Sequence, residues 1–284
     1  MLAVLLAALS AALFGAALVT THFGLKYRDA GAGARVSIPT AALLFWLLAP
    51  GMDWSGFHAG ALWLFALIGL FFPAAVTLLT FQANRRLGPN VTGTIGSTAP
   101  LFAVLSAAFF LGEPLGAREL FATILVVLGS VALSRPGRGE AAGAGIGALW
   151  MPWTGAGLRA AAQVLAKGAL ALWPSPFVAV VVGYTVSSAV IWMVARAPER
   201  RDSAADRRGL AWFAATGVLN GTAVLSLYAA LANGPVYVVS PVAATYPLFT
   251  LVLSAAVLRE ERLRGALVGG VLLTVAGVVV LLAG

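Results

Sequence analysis

The sequence predicts an all-α integral membrane protein with ten transmembrane helices, arranged as two inverted five-helix repeats. Three observations carry that prediction. First, 61% of the 284 residues are hydrophobic and only 10% are charged, against about 25% charged in an ordinary soluble domain. So few charges cannot cover so much apolar surface in water, and disorder needs low hydrophobicity. Second, apolar runs bounded by charge or by Gly and Pro recur ten times, each close to the roughly 20 residues that cross a bilayer. Third, the two halves share motifs in the same order. No alternating ten-residue strand pattern occurs, which argues against a transmembrane barrel.

The predicted spans lie at 2–25, 36–51, 59–83, 90–111, 118–134, 144–168, 172–195, 208–231, 236–258 and 264–283. The first is apolar and alanine-rich but lacks the basic n-region of a signal peptide, so it reads as a spanning helix. The second is the shortest and ends at Pro50-Gly51. The fifth is followed by Pro136-Gly137-Arg138-Gly139, near the centre of the chain. This divides the chain into a first repeat, 1–135, a linker, 136–143, and a second repeat, 144–284. The segment from Arg196 to Arg208 is the most charged and belongs in water.

The correspondences between the halves are specific. Leu87-Gly88-Pro89 aligns with Asn233-Gly234-Pro235, and Pro100-Leu101-Phe102 with Pro247-Leu248-Phe249. Leu111-Gly112-Glu113 aligns with Leu258-Arg259-Glu260, Gly129 with Gly277, and Phe23-Gly24-Leu25-Lys26 with Val164-Leu165-Ala166-Lys167. An odd number of spans per repeat turns the second repeat upside down. Inverted repeats are a construction of secondary transporters, with the substrate site near the midplane.

These residues resemble the EamA-type transporters of the drug/metabolite transporter superfamily. The likeness rests on two five-helix repeats, a Pro-Leu-Phe helix in each, an acidic turn (Leu-Gly-Glu-Pro-Leu or Leu-Arg-Glu-Glu-Arg-Leu) and a glycine-bearing last helix. It covers nearly the whole chain. The resemblance implies a basket-like bundle that exports metabolites, often amino acids, with one branch exporting aromatic amino acids. It also implies both termini inside the cell.

The charge distribution points the other way. Fifteen of the eighteen Lys and Arg fall in odd-numbered loops and two, Arg118 and Lys167, near even-numbered ones. By the positive-inside rule the odd loops are cytoplasmic, in a bacterial-type inner membrane, and both termini face outward. The net charge of +8 is accounted for by these loops. No basic stripe interleaved with aromatics points to nucleic acid. The expected partners are a small-molecule substrate and membrane lipid, with the chain a monomer or a homodimer.

Ionisable groups inside a span mark function. Arg159 lies deep in the sixth span, with Gln163 and Lys167 at i+4 and i+8 on the same face. Arg159 either grips a substrate carboxylate or snorkels to the interface. His22, with Lys26 at i+4, is a candidate for proton coupling or a hydrogen-bonded helix-end residue. Gln82, Ser97, Thr98, Asn220, Tyr228 and Tyr246 are polar groups that must find partners across helices or in a wet cavity. Pro100 and Pro247, at equivalent positions, are expected hinges of a gate. Trp150 and Trp153 read as an interfacial belt or as a stacking platform. Gly265 and Gly269 read as a close-packing face.

Absent features limit the chemistry. There is no cysteine, hence no thiolate catalysis or thiolate-held metal. No P-loop, HExxH or GxSxG is present, so no catalytic residue, metal site or cofactor is expected. Asp53, Glu113, Glu119, Glu260 and Glu261 all sit at loops or span ends. A missing mid-span carboxylate argues against proton-driven export of cations and fits a neutral, zwitterionic or anionic solute. Uptake, flipping of a lipid-linked solute, and a membrane-embedded enzyme or scaffold are the competing readings.

Overall fold

The computed structural model describes residues 1–51, 53–133, 146–194, 204–258 and 265–283. The predicted linker, Glu260, Glu261 and most of the Arg196–Arg208 segment lie outside them. Among the described residues there are twelve α-helices and no strand. They are α1 (Leu2–Leu25), α2 (Ala30–Leu48), α3 (Ala59–Phe71), α4 (Ala74–Gly96), α5 (Ala99–Leu111), α6 (Ala117–Leu133), α7 (Trp150–Leu172), α8 (Pro176–Val194), α9 (Ala204–Asn233), α10 (Val236–Ala243), α11 (Tyr246–Leu258) and α12 (Gly265–Leu282). Six helical stretches, at 2–25, 30–51, 59–83, 176–194, 206–233 and 236–256, are long and apolar enough to cross a bilayer. Shorter apolar helices lie at 99–111 and 268–282. α7, which carries Arg159, Gln163 and Lys167, is not among them. Large apolar side chains such as Trp63, Phe109, Phe110 and Met193 are bare on the outside, as a lipid-facing surface requires.

Several boundaries differ from the sequence reading. α2 starts six residues early, because Asp29 caps it by accepting from the Ala32 amide at 2.8 Å. The third span is interrupted at Phe72-Pro73. Pro73 has no N–H to give the Gly69 carbonyl, and the Ser187 hydroxyl donates to that carbonyl instead at 2.6 Å. The expected loop at 84–89 is helical, and the chain breaks further on, at Ser97-Thr98. The ninth span breaks in the same way, at Ala244-Thr245.

Those two breaks are built alike. The Thr98 amide donates to Ile95 O and the Leu101 amide to Thr98 O; the Thr245 amide donates to Val242 O and the Leu248 amide to Thr245 O. Each threonine hydroxyl also turns back, to Ile95 O at 2.7 Å and to Val242 O at 2.8 Å. Each break is followed by proline, Pro100 or Pro247, near the start of the next helix, where a missing N–H costs nothing.

Packing between the halves pairs equivalent helices head to tail. Arg35 at the start of α2 donates to Trp192 O at the end of α8, and Trp46 donates to the Thr185 hydroxyl. Arg118 at the start of α6 donates to Val280 O and Leu281 O at the end of α12, both at 3.0 Å. Along the same pair a Cβ on Gly129 would stand 2.2 Å from the Thr274 hydroxyl, and one on Gly277 would stand 2.8 Å from Ala122 O. Glycine is therefore required at both equivalent positions. Gly270 shares this contact, whereas Gly269 meets nothing within 4 Å inside the chain. A third antiparallel contact joins α1 to α9 through Ser10 and Ala223 O, the Thr20 and Thr216 hydroxyls, and the Arg28–Asp206 ion pair.

Candidate functional site

A cavity of about 950 Å³ occupies the middle of the bundle, at the upper end of the range for small-molecule sites. Its wall takes residues from α1, α2, α4, α5, α6, α7, α8, α9, α10 and α11. Lys26, Tyr27, Arg28 and Asp29, from the turn between α1 and α2, line its mouth. At the other end, α7 contributes nothing beyond Gln163 and α9 nothing beyond Leu227. The cavity thus opens on the face that carries the odd-numbered loops and is closed toward the opposite face.

Arg159 lies on the wall. Its guanidinium makes no hydrogen bond or ion pair among the described residues, so its charge is available to a solute. A Cβ added to Gly96 would lie 3.9 Å from an Arg159 nitrogen and 3.8 Å from the Tyr246 hydroxyl. Gly96 is therefore the bare patch between a cation on α7 and a phenol on α11. This arrangement can hold a carboxylate, with two guanidinium N–H groups on the carboxylate oxygens and the phenol as a further donor. Asn220 stands on the α9 part of the same wall, and Pro100 and Pro247 belong to it too. Both helix breaks thus border the cavity.

The wall carries more cations than anions: Lys26, Arg159 and Arg28, the last paired with Asp206, against one lining carboxylate, Asp29, which is committed to the α2 cap. His22 is exposed at the mouth, edge-on to Phe23 with 5.9 Å between ring centroids. The Lys26 ammonium lies 5.1 Å over the same ring.

Lys167 departs from the Arg159 stripe. Its ammonium donates to Leu231 O at 2.7 Å and to Gly234 O at 3.0 Å, at the C-terminus of α9. Glu113 completes the same corner. Gly112 ends α5 in the left-handed region, φ 65°, and the Glu113 carboxylate accepts from the Val236 amide at 2.8 Å and the Tyr237 amide at 3.3 Å. A cation on a helix C-terminus and an anion on the next N-terminus both oppose the backbone dipoles. Together they clasp the turn at Asn233-Gly234-Pro235.

Other predicted residues fall elsewhere. Gln82 is exposed on α4 and is not on the wall. Thr77 and Thr80 face the cavity, and at 100° per residue Gln82 points away from both. Tyr228 is 3% exposed and sits behind the floor, beside Tyr184, Phe72 and Pro73. Ser97 is buried at the α4–α5 break, and neither it nor Thr98 is on the wall. Trp150 and Trp153 are exposed on the outside, as a belt would be. Gly96, Tyr184 and Ser240 line the cavity without having stood among the first-rank sequence candidates. Ser240 was visible there as one polar residue in an apolar helix; Gly96 and Tyr184 gave no signal of their own.

A search of curated proteins finds no match. Among solved structures, one crystal structure whose title says only that it is a protein shares the fold, with a TM-score of 0.81. It is 18% identical, and the alignment covers 99% of this chain and 96% of that one. The sequence pattern of the EamA-like transporter family matches residues 1–135 and 146–283. The match to both halves agrees with the repeated motifs, and the chain belongs to the EamA-like transporter family, membrane proteins that move small solutes.

Proposed function

We propose that this protein is a secondary transporter that exports small carboxylate-bearing metabolites, amino acids foremost, across a bacterial-type inner membrane. Ten spans form two inverted five-helix repeats that rock against each other around the central cavity. The antiparallel α2–α8 and α6–α12 pairs support the inversion, since equivalent helices run in opposite senses. The breaks at Thr98 and Thr245 act as the hinges, next to Pro100 and Pro247. Discontinuous helices at a cavity between inverted repeats are the usual setting of a transport site.

The single observation that carries the reading is Arg159. It is an uncommitted cation on the wall of a cavity open to one face only. Holding such a charge within a bundle is costly and is retained for function. With the odd loops cytoplasmic, the cavity loads from the cytoplasm, as export requires. The solute is recognised by its carboxylate at Arg159 and Tyr246, and Asn220 supplies a further polar contact.

The test is flux in proteoliposomes loaded with radiolabelled amino acids. Wild-type vesicles should release label faster than empty-membrane controls, and Arg159→Ala should abolish the difference. Truncating one partner of a desolvated charge pair costs about 2–5 kcal/mol, so the loss should be about 30-fold or more. Equal flux with and without protein, across all amino acids tried, would defeat the substrate assignment.

A further inference from the structure

The carboxylates of the described residues leave Arg159 unanswered. Asp29, at the cavity mouth, caps α2, and Asp206 pairs with Arg28. Glu113 accepts from the Val236 and Tyr237 amides, and Asp53 from the Ser55 amide and hydroxyl. Glu119 lies in the first turn of α6 and is not on the cavity wall. The carbonyls freed at the two helix breaks are also taken. Ile95 O accepts from both the amide and the hydroxyl of Thr98, and Val242 O from both groups of Thr245. That fills the two lone pairs of each carbonyl. Lys167, further along α7, is by contrast held by Leu231 O and Gly234 O. The charge of Arg159 is therefore met by solvent in the open cavity.

Solvent can meet it only while the cavity is open. Switching access to the other face requires a closed intermediate, with the guanidinium shut inside the bundle. A buried charge whose partner is missing is strongly destabilising, and a carboxylate in the site supplies the partner. The closed intermediate is thus costly when the site is empty and accessible when a carboxylate fills it. We propose that this protein is an exchanger, which turns over with a carboxylate-bearing solute bound in each direction. Release of one solute is then driven by entry of another carboxylate from the far side. This rests on the transport reading above and adds the coupling to it.

Gly96 offers a way to supply the counter-charge from within the chain. A Cβ there would lie 3.9 Å from an Arg159 nitrogen. The carboxylate of Gly96→Asp falls within ion-pair reach, while Gly96→Asn has the same shape and no charge.

Exchange is read in proteoliposomes loaded with each radiolabelled proteinogenic L-amino acid in turn. Release is compared with plain buffer outside, with the same unlabelled amino acid outside, and with the matching amino alcohol, which lacks the carboxylate. The outside amino acid should speed release by at least about tenfold, since it spares the empty site from closing. The amino alcohol should not, and release into plain buffer continues at the lower rate. A second readout follows the empty protein. A thiol at Leu227→Cys, on the cavity wall, is labelled without solute by impermeant maleimide from the face opposite the mouth. Gly96→Asp should raise that labelling at least about fivefold over Gly96→Asn, because the built-in carboxylate lets the empty site close. Release into buffer as fast as against amino acid, equal stimulation by the amino alcohol, or equal labelling of the two Gly96 variants overturns exchange and leaves the transport reading intact. No release of any amino acid under any condition overturns both.

Discussion

Replacing Lys167 with methionine should open the closed face. Methionine keeps most of the apolar stem and removes the ammonium, and with it two bonds, at 2.7 Å to Leu231 O and 3.0 Å to Gly234 O. Hydrogen bonds to a charged group are worth about 1.5–3 kcal/mol each, so the pair contributes about 3–6 kcal/mol before compensation. Desolvation of the ammonium and rehydration of the freed carbonyls offset roughly half of that. A net loss of about 1.5–3 kcal/mol raises the population open to that face by about 10- to 150-fold. The sequence contains no cysteine, which makes the assay clean. A single Leu227→Cys places a thiol on the deepest α9 residue of the wall. Membrane-impermeant maleimide is then applied to vesicles of either sidedness. In the Leu227→Cys protein, labelling should come from the odd-loop face alone. Adding Lys167→Met should raise labelling from the opposite face at least tenfold, and Lys167→Arg should restore the barrier in part. A rise below about threefold with Lys167→Met would show that the lysine does not hold that end, and the reasoning would fail.

Three further outcomes follow from the same geometry. Gly96→Leu should abolish carboxylate binding while leaving thermal stability near wild type, because the added side chain enters the gap between Arg159 and Tyr246; retained binding by calorimetry would remove Gly96 from the site. Gly217→Val should destabilise the fold by about 1–3 kcal/mol, since even a Cβ there would stand 2.2 Å from Ser37 O; an unchanged melting temperature in detergent would contradict the α2–α9 contact. Glu113→Gln should weaken the α10 N-terminal cap by about 1 kcal/mol and raise opposite-face labelling of Leu227→Cys by less than Lys167→Met does; a larger effect than the lysine's would reverse their assigned weights.

Much of this architecture can be read from the chain, because lipid imposes a simple rule. A backbone without water must be helical, and α1 was bounded correctly by its apolar run alone. The duplicated breaks had a signal in Pro100 and Pro247. They were expected as kinks, yet a threonine two residues before each proline turns each kink into a true interruption. Side-chain direction is harder. A helix apolar on all sides carries little periodic signal, so the sequence could not tell the cavity-facing Thr77 and Thr80 from the outward Gln82. Arg159 and Lys167 are both cations on one stripe, and only the approach of α9 draws the second away. Tyr184 is embedded in a β-branched, small-residue run and looks like core until the cavity reaches it.

The head-to-tail pairing of α2 with α8 and α6 with α12 has a thermodynamic consequence. A perfect two-fold would make the inward-open and outward-open forms the same object viewed from opposite sides, equal in free energy. Any bias between them is then set by the positions where the halves disagree. Asn233-Gly234-Pro235 ends α9 and is clasped by Lys167 and Glu113, while Leu87-Gly88-Pro89 runs within one continuous helix. In the proposed transport cycle the resting direction is set by such mismatches, and exchanging residues between equivalent positions is the means to reset it.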